Sequence, residues 1–355
     1  MASVVDAPIR PGPDAGWPLV GNERVTDGLR QAVARAEVRH AYVVSGPVGT
    51  GKGALAATLA RALECLAPPG PGLPCGECRA CRKIGRGVHP DVTVFDLERQ
   101  ATVSEKPGSK HTSLAIETVR EISGTAALRP MEAPWRVVIV EDAETMQTVA
   151  QQALLKTLEE PPPFMVLLLL TDDPESLLPT VRSRCQGIEL RPVSEASVRD
   201  SLVEAGADTE TASMVAGLAA GRIGWAHRAL ADPGLLTRQR ETVDEALRWM
   251  LADPYDRVVT AFRLGDTYAK RRVEVLASVR TLLGLWRDAL LVRLALPGWL
   301  TYGSAAETLR PVVEDWDVAA IQRASHAVLA CLRDLEGNVR PRLALEAMVT
   351  QWPVR

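Results

Sequence analysis

The sequence predicts an α/β domain built on a parallel sheet with helices on both faces, interrupted by a small cysteine-rich insert and followed by all-helical domains. Three observations predict it. Short Val/Ile/Leu runs alternate with helical patterns through the first half of the chain, the pattern of strands buried on both faces of a parallel sheet. A glycine-rich stretch, "SGPVGTGKG" (Ser45–Gly53), joins the first such run to the first long helical pattern. Beyond Pro192 the alternation stops and helical periodicity alone remains. With 355 residues, 46% of them hydrophobic, the chain exceeds what one core organises.

Taken in order, residues 1–18 are rich in Pro, Gly and Asp and read as a flexible tail without the apolar run of a secretory leader. The α/β domain is expected over residues 19–192. "AYVVS" (41–45) reads as a buried strand and "GALAATLARALECL" (53–66) as a helix. A Pro/Gly/Cys-rich insert follows, with its cysteine module at 65–87. "DVTVFDL" (91–97) reads as a strand, "LAIETVREISGTAAL" (114–128) as a helix and "RVVIVED" (136–142) as a strand. "TVAQQALLKTLEE" (148–160) is a helix halted by Pro161, Pro162 and Pro163, and "FMVLLLLT" is the last apolar strand. Residues 193–233 form a small helical domain, with "ADPG" (231–234) as a boundary, and 234–355 a larger helical one.

The net charge of -3 argues against a global basic surface for nucleic acid. "FMVLLLL" is too short to span a bilayer, and "LLGLWRDALLVRLAL" (282–296) is broken by Arg287, Asp288 and Arg293. A cytoplasmic protein without membrane contact is expected, in which six cysteines stay reduced and favour metal over disulfides.

Gly46, Gly51 and Lys52 fit the phosphate-cradling pattern G-x-x-x-x-G-K-[ST], with Gly49 as a further loop glycine. Backbone N–H groups of such a loop point at phosphates at a helix N-terminus, and the lysine reaches the β/γ-phosphates. The alternative is a glycine-rich turn with a chance lysine. The last position of the pattern carries the hydroxyl that ligates Mg²⁺; here it is Gly53. Nucleotide binding survives that loss better than hydrolysis, so ATP remains compatible with the loop while Mg²⁺ is disfavoured. A neighbouring strand should end in a metal-binding Asp followed by a water-activating Glu. "VVIV" is instead followed by Glu141 and Asp142, in reverse order. A solvated acidic pair is the alternative.

Cys65, Cys75, Cys78 and Cys81 are spaced C-x₉-C-x₂-C-x₂-C. Four thiolates supply a tetrahedral set for Zn²⁺ with no open position, hence a structural site that holds down an insert without its own core. A redox C-x-x-C pair and an iron–sulfur cluster are the alternatives. His89 is surplus as a ligand and reads as an ordinary loop histidine; Cys185 and Cys331 read as buried thiols. In "TVRSRCQ" (180–186), Arg182 and Arg184 read as a solvated basic turn.

Together these stretches resemble subunits of the bacterial DNA polymerase III clamp loader, an AAA+ assembly. The resemblance runs from "LVGNERVTDGLRQAVARAEVRHAYVVSGPVGTGKG" through the four-cysteine insert, "HPDV", "VVIVEDAETM" and "QQALLKTLEEPP" to "TDDPESLLPTVRSRC". "LLKTLEEPP" followed by S-R-C is specific to clamp-loader subunits. The resemblance implies a phosphate loop at Gly46, Gly49, Gly51 and Lys52, an acidic strand end at Glu141 and Asp142, and a first sensor near Thr171. It implies zinc at the four cysteines, and it makes Arg184 of S-R-C a finger offered to a neighbouring subunit's ATP. "GRIGWAHRAL" (221–230) aligns with the second-sensor helix, with His227 where an active motor has Arg. The helical parts become a lid and a collar.

Three departures therefore fall on metal, water activation and γ-phosphate sensing, while the finger is kept. This pattern suits a stator whose own ATPase is weak or absent. Implied partners are delta and gamma/tau subunits in a hetero-oligomeric ring that loads the sliding clamp onto primed DNA at the replisome. Membership of a polymerase assembly does not make the chain a polymerase. One alternative is a gamma/tau-type ATPase motor, expected to have Ser or Thr at position 53 and Asp-Glu at 141–142. Another is a zinc-dependent nucleic-acid-binding module, for which Arg79, Arg82, Lys83 and Arg86 supply a few cations.

Overall fold

The computed structural model describes residues 16–17, 19–97, 113–296, 299–336 and 339–354. The expected tail, 1–18, lies outside the described residues apart from Gly16 and Trp17. The chain divides into two compact units, Met1–Ala207 with Gly221–Arg228, and Asp208–Ala220 with Ala229–Arg355. The segment expected as a small helical domain is shared between them.

The first unit is built on a parallel sheet of β1 (Ala41–Ser45), β2 (Val92–Phe95), β3 (Arg136–Val140), β4 (Met165–Thr171) and β5 (Gln186–Glu189). Their order is β2-β3-β4-β1-β5, so the strand leading into the glycine loop is flanked by β4 and β5. All seven residues of β4 are buried. The period of two explains why its apolar run is continuous. Leu167 and Leu169 enter a core with Val119, Ile122 and Leu154, while Leu168 and Leu170 enter a second core with Leu29, Leu55 and Leu59.

The helices that supply those residues are α1 (Glu23–Ala34), α2 (Lys52–Glu64), α4 (Ile116–Ala127) and α5 (Thr148–Glu159); the short α3 (Arg79–Gly85) belongs to the insert. α1 and α2 cover one face, α4 and α5 the other. Each fully buried leucine of β4 contributes about 1.5–3 kcal/mol, and truncating one to Ala costs about 2–5 kcal/mol. After β4 come α6 (Pro179–Arg182), β5 and α7 (Glu195–Glu204), which Ser194 caps by accepting from the Ser197 N–H.

The second unit contains α8 (Thr209–Ala219), the end of α9 (Ile223–Ala231), and α10 (Pro233–Leu251), α11 (Pro254–Thr267), α12 (Arg272–Arg293), α13 (Ala306–Val313), α14 (Val318–Glu336) and α15 (Pro341–Val349). The Asp-Pro pairs of the sequence start two of these helices. Asp232 and Asp253 accept backbone N–H groups of the first turn, with Pro233 and Pro254 in the first helical position. "ADPG" is thus a helix start. Trp286, fully buried, sits 5.2 Å from Trp316 and 5.5 Å from Trp352, centroid to centroid, and Trp352 lies 5.5 Å from Trp249. Arg257 is buried beside them and donates to the carbonyls of Met250 (2.9 Å) and Pro353 (2.8 Å), which ties the C-terminal residues to α10 and α11.

Candidate functional site

The glycine loop leaves β1 at the carboxyl edge of the sheet, beside the end of β4: Gly46 donates its N–H to the Thr171 carbonyl at 3.2 Å. Gly46 has φ 148°, and a Cβ there would stand 2.4 Å from the Leu190 carbonyl oxygen, so no other residue fits. Gly49, φ 89°, is pressed by the first turn of α9: a Cβ would meet that of Trp225 at 2.9 Å, and the Trp225 N–H bonds the Gly49 carbonyl at 3.0 Å. Gly51 is the residue before α2, and Lys52 opens that helix. Lys52 Nζ donates to the carbonyls of Gly46 (2.6 Å) and Pro47 (3.3 Å), folding the side chain over its own loop. Gly53, where a hydroxyl is expected, lines a cavity of about 30 Å³ with Glu141 and His89.

The carboxylates gather at the same edge. Glu141, 7% exposed, follows β3; burial, helped by Asp142 and Asp96, pushes its carboxyl up to about 7, while Arg228 and Lys52 pull it down. Asp142 has left-handed backbone (φ 50°), tolerable for Asp, and its pKa is raised by desolvation and by Asp172. Glu144, which sequence reasoning missed, is pushed up to about 8 by burial and by a hydrogen-bonded Asp172. Thr171, the last residue of β4, is buried; its hydroxyl donates to the Asp173 carbonyl (2.9 Å) and accepts from the Asp173 N–H (3.1 Å).

On α9, His227 Nε2 lies 2.9 Å from the Ser201 hydroxyl. Arg228 is the residue that acts electrostatically on Glu141. Helical spacing is the reason: Arg228 is three residues beyond Trp225, on the face that meets the loop, whereas His227 is only two beyond. Arg228, next to His227, thus adds positive charge that favours the ionised Glu141, and the signal available was its spacing from Trp225. His89 is not an ordinary loop residue. It is 4% exposed, and its Nδ1 accepts from the Asp91 N–H.

Arg184 is elsewhere. It precedes β5, so in a parallel sheet it stands at the amino edge, while the glycine loop is at the carboxyl edge. The four residues of β5 separate the two by roughly 13 Å. Arg184 Nη2 pairs with Glu159 Oε1 at 2.7 Å, and Nη1 donates to the Thr180 carbonyl at 3.0 Å. Neighbouring Arg182 pairs with Glu175. Cys185 packs against the core and Cys331 is buried; burial pushes both thiols up to about 12.

The sulfurs of Cys65, Cys75, Cys78 and Cys81 lie within 4.8 Å of one another, with Cys75 and Cys81 4.0 Å apart. A tetrahedral Zn²⁺ with bonds of about 2.3 Å needs sulfurs about 3.8 Å apart, so this set fits a metal with small adjustment. Backbone N–H groups of Cys75, Cys78 and Cys81 point at the sulfurs of Cys65, Cys75 and Cys78 at 3.3, 3.2 and 3.4 Å, a donor shell suited to thiolates. The Cys78 thiol is pushed down to about 6 by such hydrogen bonds against the opposing effect of burial. Of the cations near this insert, Arg79 and Lys83 are engaged by Glu132 at 3.3 and 2.6 Å, which weakens the case for a nucleic-acid face.

A glycine loop after β1, acids after β3, a polar residue ending β4 and an arginine before β5 define a phosphate-loop protein of the AAA+ type, here with a four-cysteine insert. The family model described as "DNA polymerase III, delta subunit" matches residues 21–194. The chain is similar to the DNA polymerase III subunit delta' of Pseudomonas aeruginosa, 34% identical over 254 residues that cover 71% of this chain and 64% of the relative. It is also similar to the subunit delta' of Bacillus subtilis (30% over 195 residues, 55% of either chain). The gamma/tau subunit of Mycobacterium bovis is 33% identical over 181 residues, 51% of this chain and 29% of the relative. The chain thus spans less than two thirds of the length of the curated relatives it matches. Among the described residues, no helix is long and apolar enough to cross a membrane.

Proposed function

We propose that this chain is a delta-prime-type, stator subunit of a DNA polymerase III clamp loader, which completes a neighbouring subunit's ATP site without firing its own. The observation that carries the reading is the position of Arg184, on the opposite sheet edge from the chain's own loop and too far to serve it. For an arginine that cannot reach its own nucleotide, the nucleotide left for it to act on is another protomer's, where it stabilises charge on the transferring phosphoryl group. The home site supports the other half. Position 53 lacks the metal-binding hydroxyl, the acid order is reversed, and Trp225 and Lys52 close over the loop.

In this reading Gly46, Gly49, Gly51, Lys52, Glu141, Asp142 and Thr171 form a vestigial nucleotide pocket. ATP is its fitting ligand, and Mg²⁺ is poorly provided for. Zn²⁺ held by Cys65, Cys75, Cys78 and Cys81 supplies a structural cross-link for the insert, and four thiolates leave no catalytic position. The working partners are delta and gamma/tau subunits in a ring, with the sliding clamp and primed DNA reached through the assembly in the cytoplasm at the replisome. A motor role is the second reading, favoured by Arg228, the cation retained beside Glu141.

The test is ATP hydrolysis. The isolated chain should turn over ATP negligibly, and Arg184→Ala should lower ATPase of the reconstituted loader by about 10³-fold or more at the dependent site while the ring still assembles. Robust turnover by the isolated chain would favour the motor.

A further inference from the structure

Arg184 is tethered within its own chain. Its Nη2 meets Glu159 Oε1 at 2.7 Å, and Nη1 meets the Thr180 carbonyl at 3.0 Å. Glu159 is the last residue of α5 and stands at the same amino edge of the sheet, between that helix and β4. A guanidinium facing a carboxylate presents little net charge to a third group, and the carboxylate repels an approaching triphosphate. The pair must therefore open before Arg184 can work on a neighbour's nucleotide. Both members are part-exposed, with side-chain exposures of 36% and 51%, so the pair is of the weak kind. A closed form outnumbers an open one by about 1.4- to 5-fold in such pairs. A phosphoryl contact contributing about 10³–10⁵ in rate displaces it readily.

We propose that Glu159 is a positioning residue for Arg184, a latch that holds the guanidinium against its own chain and yields it in exchange for the neighbouring subunit's triphosphate. The proposal rests on reading Arg184 as a finger. The latch lowers turnover by the fraction of time it stays closed.

The test is a double-mutant cycle in the reconstituted loader, using wild type, Glu159→Gln, Arg184→Ala and the double variant. With a closed form favoured 1.4- to 5-fold, Glu159→Gln raises kcat for ATP by about two- to sixfold, with KM unchanged. In the Arg184→Ala background the same substitution changes nothing, because the residue acts only through the guanidinium. The gap between wild type and Glu159→Gln narrows as salt is raised, since screening opens the same pair. A kcat that falls or stays level in Glu159→Gln, or a gain that persists without Arg184, overturns the latch and leaves the finger standing. An Arg184→Ala loader with undiminished ATPase overturns the finger, and the latch with it.

Discussion

Glu141 offers a direct measure of how the pocket is built. Its carboxyl is buried at the end of β3 and pushed from the model-peptide value near 4.5 up to about 7 by desolvation and by Asp142 and Asp96. A carboxyl whose pKa is raised on folding adds stability below its unfolded pKa, and this contribution is lost as pH rises through the folded value. Stability should thus fall between about pH 4.5 and 7, the window set by this group. At about 1.4 kcal/mol per pKa unit, ionising the buried group costs on the order of 3 kcal/mol. That cost is already net of the attraction of Arg228 and Lys52, so removing it with Glu141→Gln should gain about 1–3 kcal/mol at pH 8, or roughly 2–8 °C in melting temperature. The assay is thermal unfolding of both proteins from pH 5 to 8.5. Glu64 and Glu144, each pushed up to about 8, slope the same way in both proteins, so the difference isolates Glu141. The expected result is a variant whose advantage grows with pH. A variant that loses stability relative to wild type as pH rises would refute the reasoning. It would mean that the pairing with Arg228 outweighs desolvation and that the carboxylate is ionised in the folded protein.

Further outcomes follow from the other sites. Metal analysis of the purified chain should find one zinc, and Cys78→Ser should lose it and speed hydrogen exchange across residues 65–87, where the insert has little core of its own; a [4Fe–4S] absorbance would contradict the assignment. Arg257→Ala leaves the carbonyls of Met250 and Pro353 without their buried donor and should lower stability by about 2–4 kcal/mol, read by denaturant unfolding of the full chain. A loss under 1 kcal/mol would show that the tryptophan packing holds the C-terminal residues unaided.

Much of this protein was legible in one dimension because the signals are local. A glycine loop between an apolar strand and a helix, apolar runs buried on both faces and C-x₂-C spacing each depend on residues a few positions apart. Backbone geometry and metal coordination act over those distances. The alternation of strands and helices sufficed to predict a parallel sheet, and the cysteine spacing sufficed to predict a four-sulfur cluster.

What remained hidden depends on where distant segments meet. Whether His227 or Arg228 faces Glu141 turns on how α9 seats on Gly49, a contact between residues more than 170 positions apart. The burial of His89, ahead of β2, and the coupling of Glu144 to Asp172, beyond β3 and β4, arise where separate loops converge at the sheet's two edges. The ion pair of Arg184 with Glu159 joins the end of a helix to the approach of a strand 25 residues later. Burial and electrostatics act through space, so the same side chain is a solvated ion or a perturbed one according to neighbours that the order of residues does not name.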